Sequence, residues 1–223
     1  MLLALTSNTA VGQSAKVDSK NWFKPSAADV LAVQNLMGYY SLYNVNGQLG
    51  ELKKIYALKT PGTTWRTPVG ANNTEEVIKM IERQAANAEG EHVDQGALHI
   101  HSMATPVIVF AGDGKTARGM WDSFGPNINN SKDVGEWLWL KYGIDFIKED
   151  GEWKIWHMQT YREFLTPYDR SWTQYAREQA VKGVNIQSAG TATAPPAGYD
   201  GKTKRRPIEV PEPYYTFDPK HSY

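Results

Sequence analysis

ALHIHSMATPVIVFAGDGKTARGMWDSF, running from Ala97 to Phe124, is the stretch that decides the fold. Two extended, β-rich runs flank Ala111-Gly112-Asp113-Gly114, a turn signal of the kind that closes a hairpin. Side chains alternate along a strand, so His99 and His101 are expected on one face of the first run. A second stretch, WLWLKYGIDFIKEDGEWKIWHMQTYREF from Trp137 to Phe164, turns at Glu149-Asp150-Gly151 and returns through His157. Side by side, the two hairpins make a four-stranded antiparallel meander that carries three of the chain's five histidines. Chemistry is expected on that sheet.

The faces of the second hairpin follow from the same alternation. Leu138, Leu140, Tyr142, Ile144 and Phe146 share one face, opposite Trp137, Trp139, Lys141 and Asp145. In the return strand, Trp153, Ile155, His157, Gln159 and Tyr161 are expected on a single face, apolar first and then polar. A sheet apolar on one face and aromatic-rich on the other needs covering on both sides. Helices cover one side; a neighbouring subunit is the economical cover for the other, so a homo-oligomer, dimer or trimer, is expected.

Upstream, Ser26 is a plausible N-cap with Asp29 three residues on, and Val30, Val33, Leu36, Met37 and Tyr40 recur at helical spacing. Leu49 to Leu58 reads as a shorter helix, Trp65 to Val69 as a short strand, and Asn73 opens a third helix through Val77, Ile78, Ile81 and Ala85. Pro126 to Asp133 reads as a polar connection, and Tyr168-Asp169 as the start of a last helix reaching about Val181. From Ser188 onward the chain holds half of its twelve prolines and no period, so it is an irregular extension. The organisation expected is a flexible segment 1–24, a single domain 25–187 and an extension 188–223. Lys202-Thr203-Lys204-Arg205-Arg206 is read as solvated tail, whereas Tyr214, Tyr215 and Phe217 are expected to dock on the body or a neighbour.

Composition narrows the function. Lys+Arg and Asp+Glu are both 24, and this balance argues against a nucleic-acid binder, which carries a basic excess. Cysteine is absent, which excludes disulfides, thiolate nucleophiles and Cys-ligated metals. Eight Trp and twelve Tyr suit a pocket for a flat ligand or a subunit interface. No apolar run approaches the roughly 20 residues that span a bilayer, so no membrane partner is expected. Met1 to Ala15 has a short apolar run but no basic leader, so a cytoplasmic location is expected, with a truncated export signal as the minority reading.

Three helices followed by a long bent antiparallel sheet resembles the nuclear-transport-factor-2-like (SnoaL-like) α+β cone, a cone-shaped barrel wrapped around its N-terminal helices. The resemblance is carried by Leu36-Met-Gly-Tyr-Tyr-Ser-Leu-Tyr43 with Leu49-Gly-Glu-Leu52, by His101 with Thr105-Pro-Val-Ile108 and Gly112-Asp-Gly-Lys-Thr-Ala-Arg118, and by Asp150-Gly-Glu-Trp-Lys-Ile155. It implies a deep apolar cone with a few polar groups at its mouth. Members similar to scytalone dehydratase, limonene-epoxide hydrolase, ketosteroid isomerase and polyketide cyclases do cofactor-free acid/base chemistry there. His101 falls on the strand histidine of the scytalone-dehydratase-like subgroup, and Tyr40 and Tyr43 on its helix-1 tyrosine region. Many relatives carry aspartate after helix 1; here Asn44 and Asn46 stand instead, which shifts the work to His101 or His157.

The expected catalytic groups are therefore His101, Tyr43, Tyr40 and His157, with His99, Trp121, Tyr142, Tyr161, Arg162 and Asn46 binding substrate. Imidazole titrates near neutrality and exchanges protons without large tuning. Two histidines on a strand with His157 as a third ligand is a metal pattern, but no Asp or Glu completes it in that strand, so no metal and no cofactor is expected. The function expected is a lyase or dehydratase reaction on a hydrophobic aromatic alcohol. Among activities of similar sequences, deformylation of a lignin-derived diarylpropane diol fits the aromatic wealth. A steroid or terpenoid isomerase, or a non-catalytic binding or scaffold protein, remain the alternatives.

Overall fold

Helix α1, Ala27–Val45, begins where Ser26 caps it. The Ser26 hydroxyl accepts from the Asp29 amide, and the Asp29 carboxylate accepts from the Ser26 amide. The same carboxylate accepts from Trp153 Nε1 at 2.9 Å, which ties the helix to the far end of the sheet. These bonds from Trp153 and Ser26 hold the Asp29 carboxyl well below the usual carboxylate range. The computed structural model describes residues 21–66, 70–89, 98–129, 134–181, 199 and 208–223. Met1 to Ala15 and the basic run from Lys202 to Arg206 lie outside them.

The sheet is built on β3 (Ala104–Phe110), β4 (Thr116–Asn129), β5 (Val134–Glu149) and β6 (Glu152–Pro167), each antiparallel to the next. This is the expected meander. Asp150 and Gly151 both have positive φ, 53° and 83°, which is the two-residue turn that matches strand twist. Two short strands extend the sheet: β1 (Thr64–Arg66) runs parallel to β6, and β2 (Leu98–His99) pairs with the end of β4. The sheet curls around α1 and α2 (Thr74–Glu89) as an α+β cone, and α3 (Trp172–Val181) follows β6. Val33, Leu36, Met37 and Tyr40 of α1 meet Val77, Met80 and Ile81 of α2 and the inner sheet residues Trp121, Tyr142, Ile144, Phe146, Ile155 and Met158.

Several expectations need correction. Leu49–Lys54 is a 3₁₀ helix that stops before Ile55. The strand expected from Trp65 to Val69 is present as Thr64–Arg66, and residues 67–69 lie outside the described ones. Pro126 to Asn129 belongs to β4, because Asn127 and Ile128 pair with Glu136 and Gly135. The run holding His99 and His101 is not one strand: β2 ends at His99 and β3 begins at Ala104. Thr105 sits at φ 45° before Pro106, and the pairing with β4 shifts between Ala104 and Val107. His101 therefore lies in the link between two strands. Gly125 lets that link pass close to β4, since a Cβ there would lie 2.1 Å from the Ile100 carbonyl oxygen.

The largest correction concerns β6. Asp145 pairs with His157 but Phe146 pairs with Ile155, so Trp156 is an extra residue in a β-bulge. One inserted residue turns every following side chain to the other face. Ile155 points into the core, while His157, Gln159 and Tyr161 point outward beside Asp145, Gly143 and Lys141.

The segment 208–223 docks on its own chain. The Gly112 and Asp113 amides donate to the carbonyls of Tyr214 and Tyr215, at 2.9 and 2.8 Å. Tyr215 meets Trp22, and Phe217 lies against Trp156 and His157. Gly143 makes room for the ring of Tyr223, which a Cβ would approach to 2.3 Å.

Candidate functional site

The inner face of the cone brings His101, Tyr142 and Tyr40 together. Ser41 on α1 donates to the His101 carbonyl at 2.5 Å and fixes the link between β2 and β3 against the helix. This turns the imidazole toward β5, where its Nδ1 is 3.0 Å from the Tyr142 hydroxyl. The Tyr142 ring also meets Tyr40 edge-on, with centroids 5.7 Å apart. Trp121, directly paired with Tyr142, completes the wall and is almost fully buried.

Burial governs the protonation of this group. It pushes the His101 imidazole down to about 4, with a smaller push from neighbouring His99. Burial also raises Tyr40 to about 12 and holds the Tyr142 phenol well above its usual range. At neutral pH the trio is therefore uncharged: an imidazole able to accept a proton stands beside a phenol able to give one.

A second polar row lies nearer the open end of the same face. His99 Nδ1 meets Asn127 Oδ1 at 2.5 Å, and Asn127 Nδ2 donates to Glu136 at 3.1 Å. Arg162 pairs with Leu140 and so shares this inward face. Asn127 and Glu136 escaped the sequence reading. Extending the period-two face of Leu138 and Leu140 back by two residues would have found Glu136.

The other expected residues stand elsewhere. Tyr43 stacks on Tyr39, with centroids 5.8 Å apart, in an outer groove shared with Leu36, Ile55 and Trp153. Asn46 is the exposed C-cap of α1, and Asn44 donates to the Tyr40 carbonyl. Tyr161 and His157 face outward because of the bulge at Trp156. His157 stacks on Trp156 and, through Nδ1, meets Asp145 and Ser222, each at 3.0 Å. Acid and hydroxyl share one ring nitrogen, so this is no Ser-His-Asp relay, in which the imidazole bridges the two. The three histidines of the meander thus share no hydrogen-bond partner, and His157 lies on the opposite face from His99 and His101.

Asp145 is the centre of that outer cluster. Fully buried, it accepts from Arg118 Nε at 3.1 Å, the Ser222 hydroxyl at 2.8 Å and the Tyr223 amide at 3.0 Å. The Arg118 guanidinium in turn lies 4.7 Å from the centre of the Tyr223 ring.

Comparison with known proteins places this architecture. Residues 25–159, more than half of the chain, match the SnoaL-like domain. A hexachlorocyclohexane dehydrochlorinase of type 3 from Novosphingobium barchaimii is 16% identical over 65% of this chain and 92% of its own, with a TM-score of 0.51. A type 2 enzyme of the same name is also 16% identical, over 65% of this chain and 91% of its own, again with a TM-score of 0.51. A candidate scytalone dehydratase from Novosphingobium aromaticivorans is 16% identical, covers 65% and 90%, and has a TM-score of 0.49. No curated protein matches the sequence. At such identities the solved structures speak for the fold, and the match over residues 25–159 carries the family: this chain belongs to the SnoaL-like family.

Proposed function

We propose that the cone is the site of a cofactor-independent acid/base lyase or dehydratase acting on a hydrophobic aromatic alcohol. The observation that carries this reading is the 3.0 Å contact between a neutral, partly buried His101 and the Tyr142 hydroxyl. In the tautomer with Nδ1–H donating to the phenol oxygen, Nε2 is bare and takes a proton from substrate carbon. The Tyr142 hydroxyl gives its proton to the departing oxygen and recovers one from Nδ1. The C–H and C–O bonds are replaced by a double bond, water leaves, and the imidazole ends as its other neutral tautomer. No net charge is created, which suits a buried site where an isolated charge is costly. In a 1,3-diol the same two transfers, with Nε2 taking the terminal hydroxyl proton, release formaldehyde and water together. Tyr40 packs against Tyr142 and orients it.

The test is a screen of aromatic alcohols by mass spectrometry for loss of water or formaldehyde, followed by the pH profile of the substrate found. Protonation disables the base, so kcat/KM is expected to hold from neutrality downward and to fall as pH drops through about 4. A limb near pH 6.5, the ordinary value for imidazole, would remove His101 in its buried state from the mechanism.

The outer face carries Phe124 with Trp137 and Trp139 against it, each of the three more than a third exposed. Beside them an apolar hollow of about 430 Å³ is lined by Trp139, Phe164, Trp172 and Tyr199. We propose that a second copy of the chain covers this face. Sedimentation is expected to give a mass at least twice 25.0 kDa at micromolar concentration; a stable monomer would refute it.

A further inference from the structure

We infer that the cone contains a subsite for a negatively charged oxygen of the substrate, a phenolate or a carboxylate, built on Arg162. This rests on the cone being the reaction site, and it adds the class of substrate that the site selects.

The bulge at Trp156 that takes His157 out of the cone is what turns Arg162 into it. Beyond the bulge, Met158, Thr160 and Arg162 share the face of Ile144, Tyr142 and Leu140, their partners on β5. Arg162 is thus the diagonal neighbour of Tyr142, at a Cα separation of about 7–8 Å that a long side chain spans. Its Nε is buried and has no hydrogen-bond partner among the described residues. Burial pushes the guanidinium down from its ordinary value, and Glu136 on the same face opposes that push from a distance. No carboxylate among the described residues lies within ion-pair reach of Arg162, while Glu136 is held by Asn127. On β5 Arg162 is paired with Leu140, and Leu138 and Leu165 pair with each other one step further along the two strands. A buried donor without a partner calls for an acceptor, and a guanidinium bonds a charged one most strongly. A ligand that satisfies both places its anionic oxygen at Arg162 and its reacting carbon, roughly one aromatic ring away, at His101 and Tyr142. A phenolic or carboxylated aromatic alcohol has that layout, whereas a steroid or terpene alcohol has no charge to offer.

The test uses binding alone, on the full-length protein, by calorimetry with 4-nitrophenol, 4-ethylbenzoate and the neutral 4-nitroanisole. At least one anion is expected to bind tenfold or more tightly than 4-nitroanisole, and Arg162→Met, with its thermal midpoint checked, is expected to abolish that preference. If the phenolate is preferred, bound 4-nitrophenol should ionise about one pH unit lower than free, the equivalent of that tenfold. If 4-ethylbenzoate is preferred, the subsite is assigned to a carboxylate. His101→Ala is expected to keep the anion preference, so that loss of chemistry and loss of recognition are told apart. Equal binding of anions and 4-nitroanisole by the wild type, or a preference that survives Arg162→Met, would overturn the inference.

Discussion

Replacing His101 by alanine is expected to lower turnover at least about a hundredfold while leaving the fold intact, because a positioned acid/base group contributes roughly 10²–10⁴-fold. The residue is partly buried at the edge of the core and is held mainly through its backbone carbonyl, which Ser41 binds and which the alanine variant keeps. Tyr142→Phe removes the group that passes the proton, so a loss of similar size is expected from it. Tyr40→Phe should cost less, since its ring contact with Tyr142 survives. Tyr43→Phe should be nearly silent, because that phenol lies in the outer groove. His101 also leaves a mark on stability. Its folded value lies below the unfolded value of 6.5, so as pH falls the unfolded chain takes up the proton first. The wild type is therefore expected to lose stability between pH 6.5 and about 4, by up to roughly 3 kcal/mol. Denaturation curves for His101→Ala should lack that contribution. A folded His101→Ala protein with unchanged turnover would leave the cone a binding pocket rather than a reaction site.

Asp145→Ala is expected to be the most destabilising single change on the outer face. It strips Arg118, 6% exposed, of its direct carboxylate partner, and breaking a buried pair from one side costs about 3–5 kcal/mol. It also removes the acceptor shared by the Ser222 hydroxyl and the Tyr223 amide, so residues 208–223 should detach from β5. Two measurements separate the effects. The urea midpoint should fall, and limited proteolysis should cut within 208–223 while the sheet persists. Asp145→Asn, which keeps an acceptor but not the charge, should fall between the two proteins. An unchanged midpoint together with a protected tail would show that Tyr223 and Phe217 hold the segment by packing alone.

The two predictions concern opposite faces of one sheet, and the sequence told them apart on β5 but not on β6. Regular alternation put Tyr142 and Asp145 on different faces, and the structure agrees because β4 and β5 pair without interruption from Thr116 to Asn129. The capping box at Ser26, the Asp150-Gly151 turn and the apolar stripe of α1 were likewise legible, since each is a local preference that its surroundings reinforce. The bulge at Trp156 was not legible. Nothing in Ile155-Trp156-His157 marks an extra residue, and one slip decides whether His157 or Arg162 enters the cone. Nor did local pattern show that His101 lies between strands and reaches Tyr142, forty-one residues away, rather than sharing a strand face with His99. Residue types and strand period, then, determined the meander, while the resemblance of its motifs pointed to the family and to His101. Only the tertiary structure decided which side chains share an interior, because pairing register and burial are set by contacts far apart in sequence.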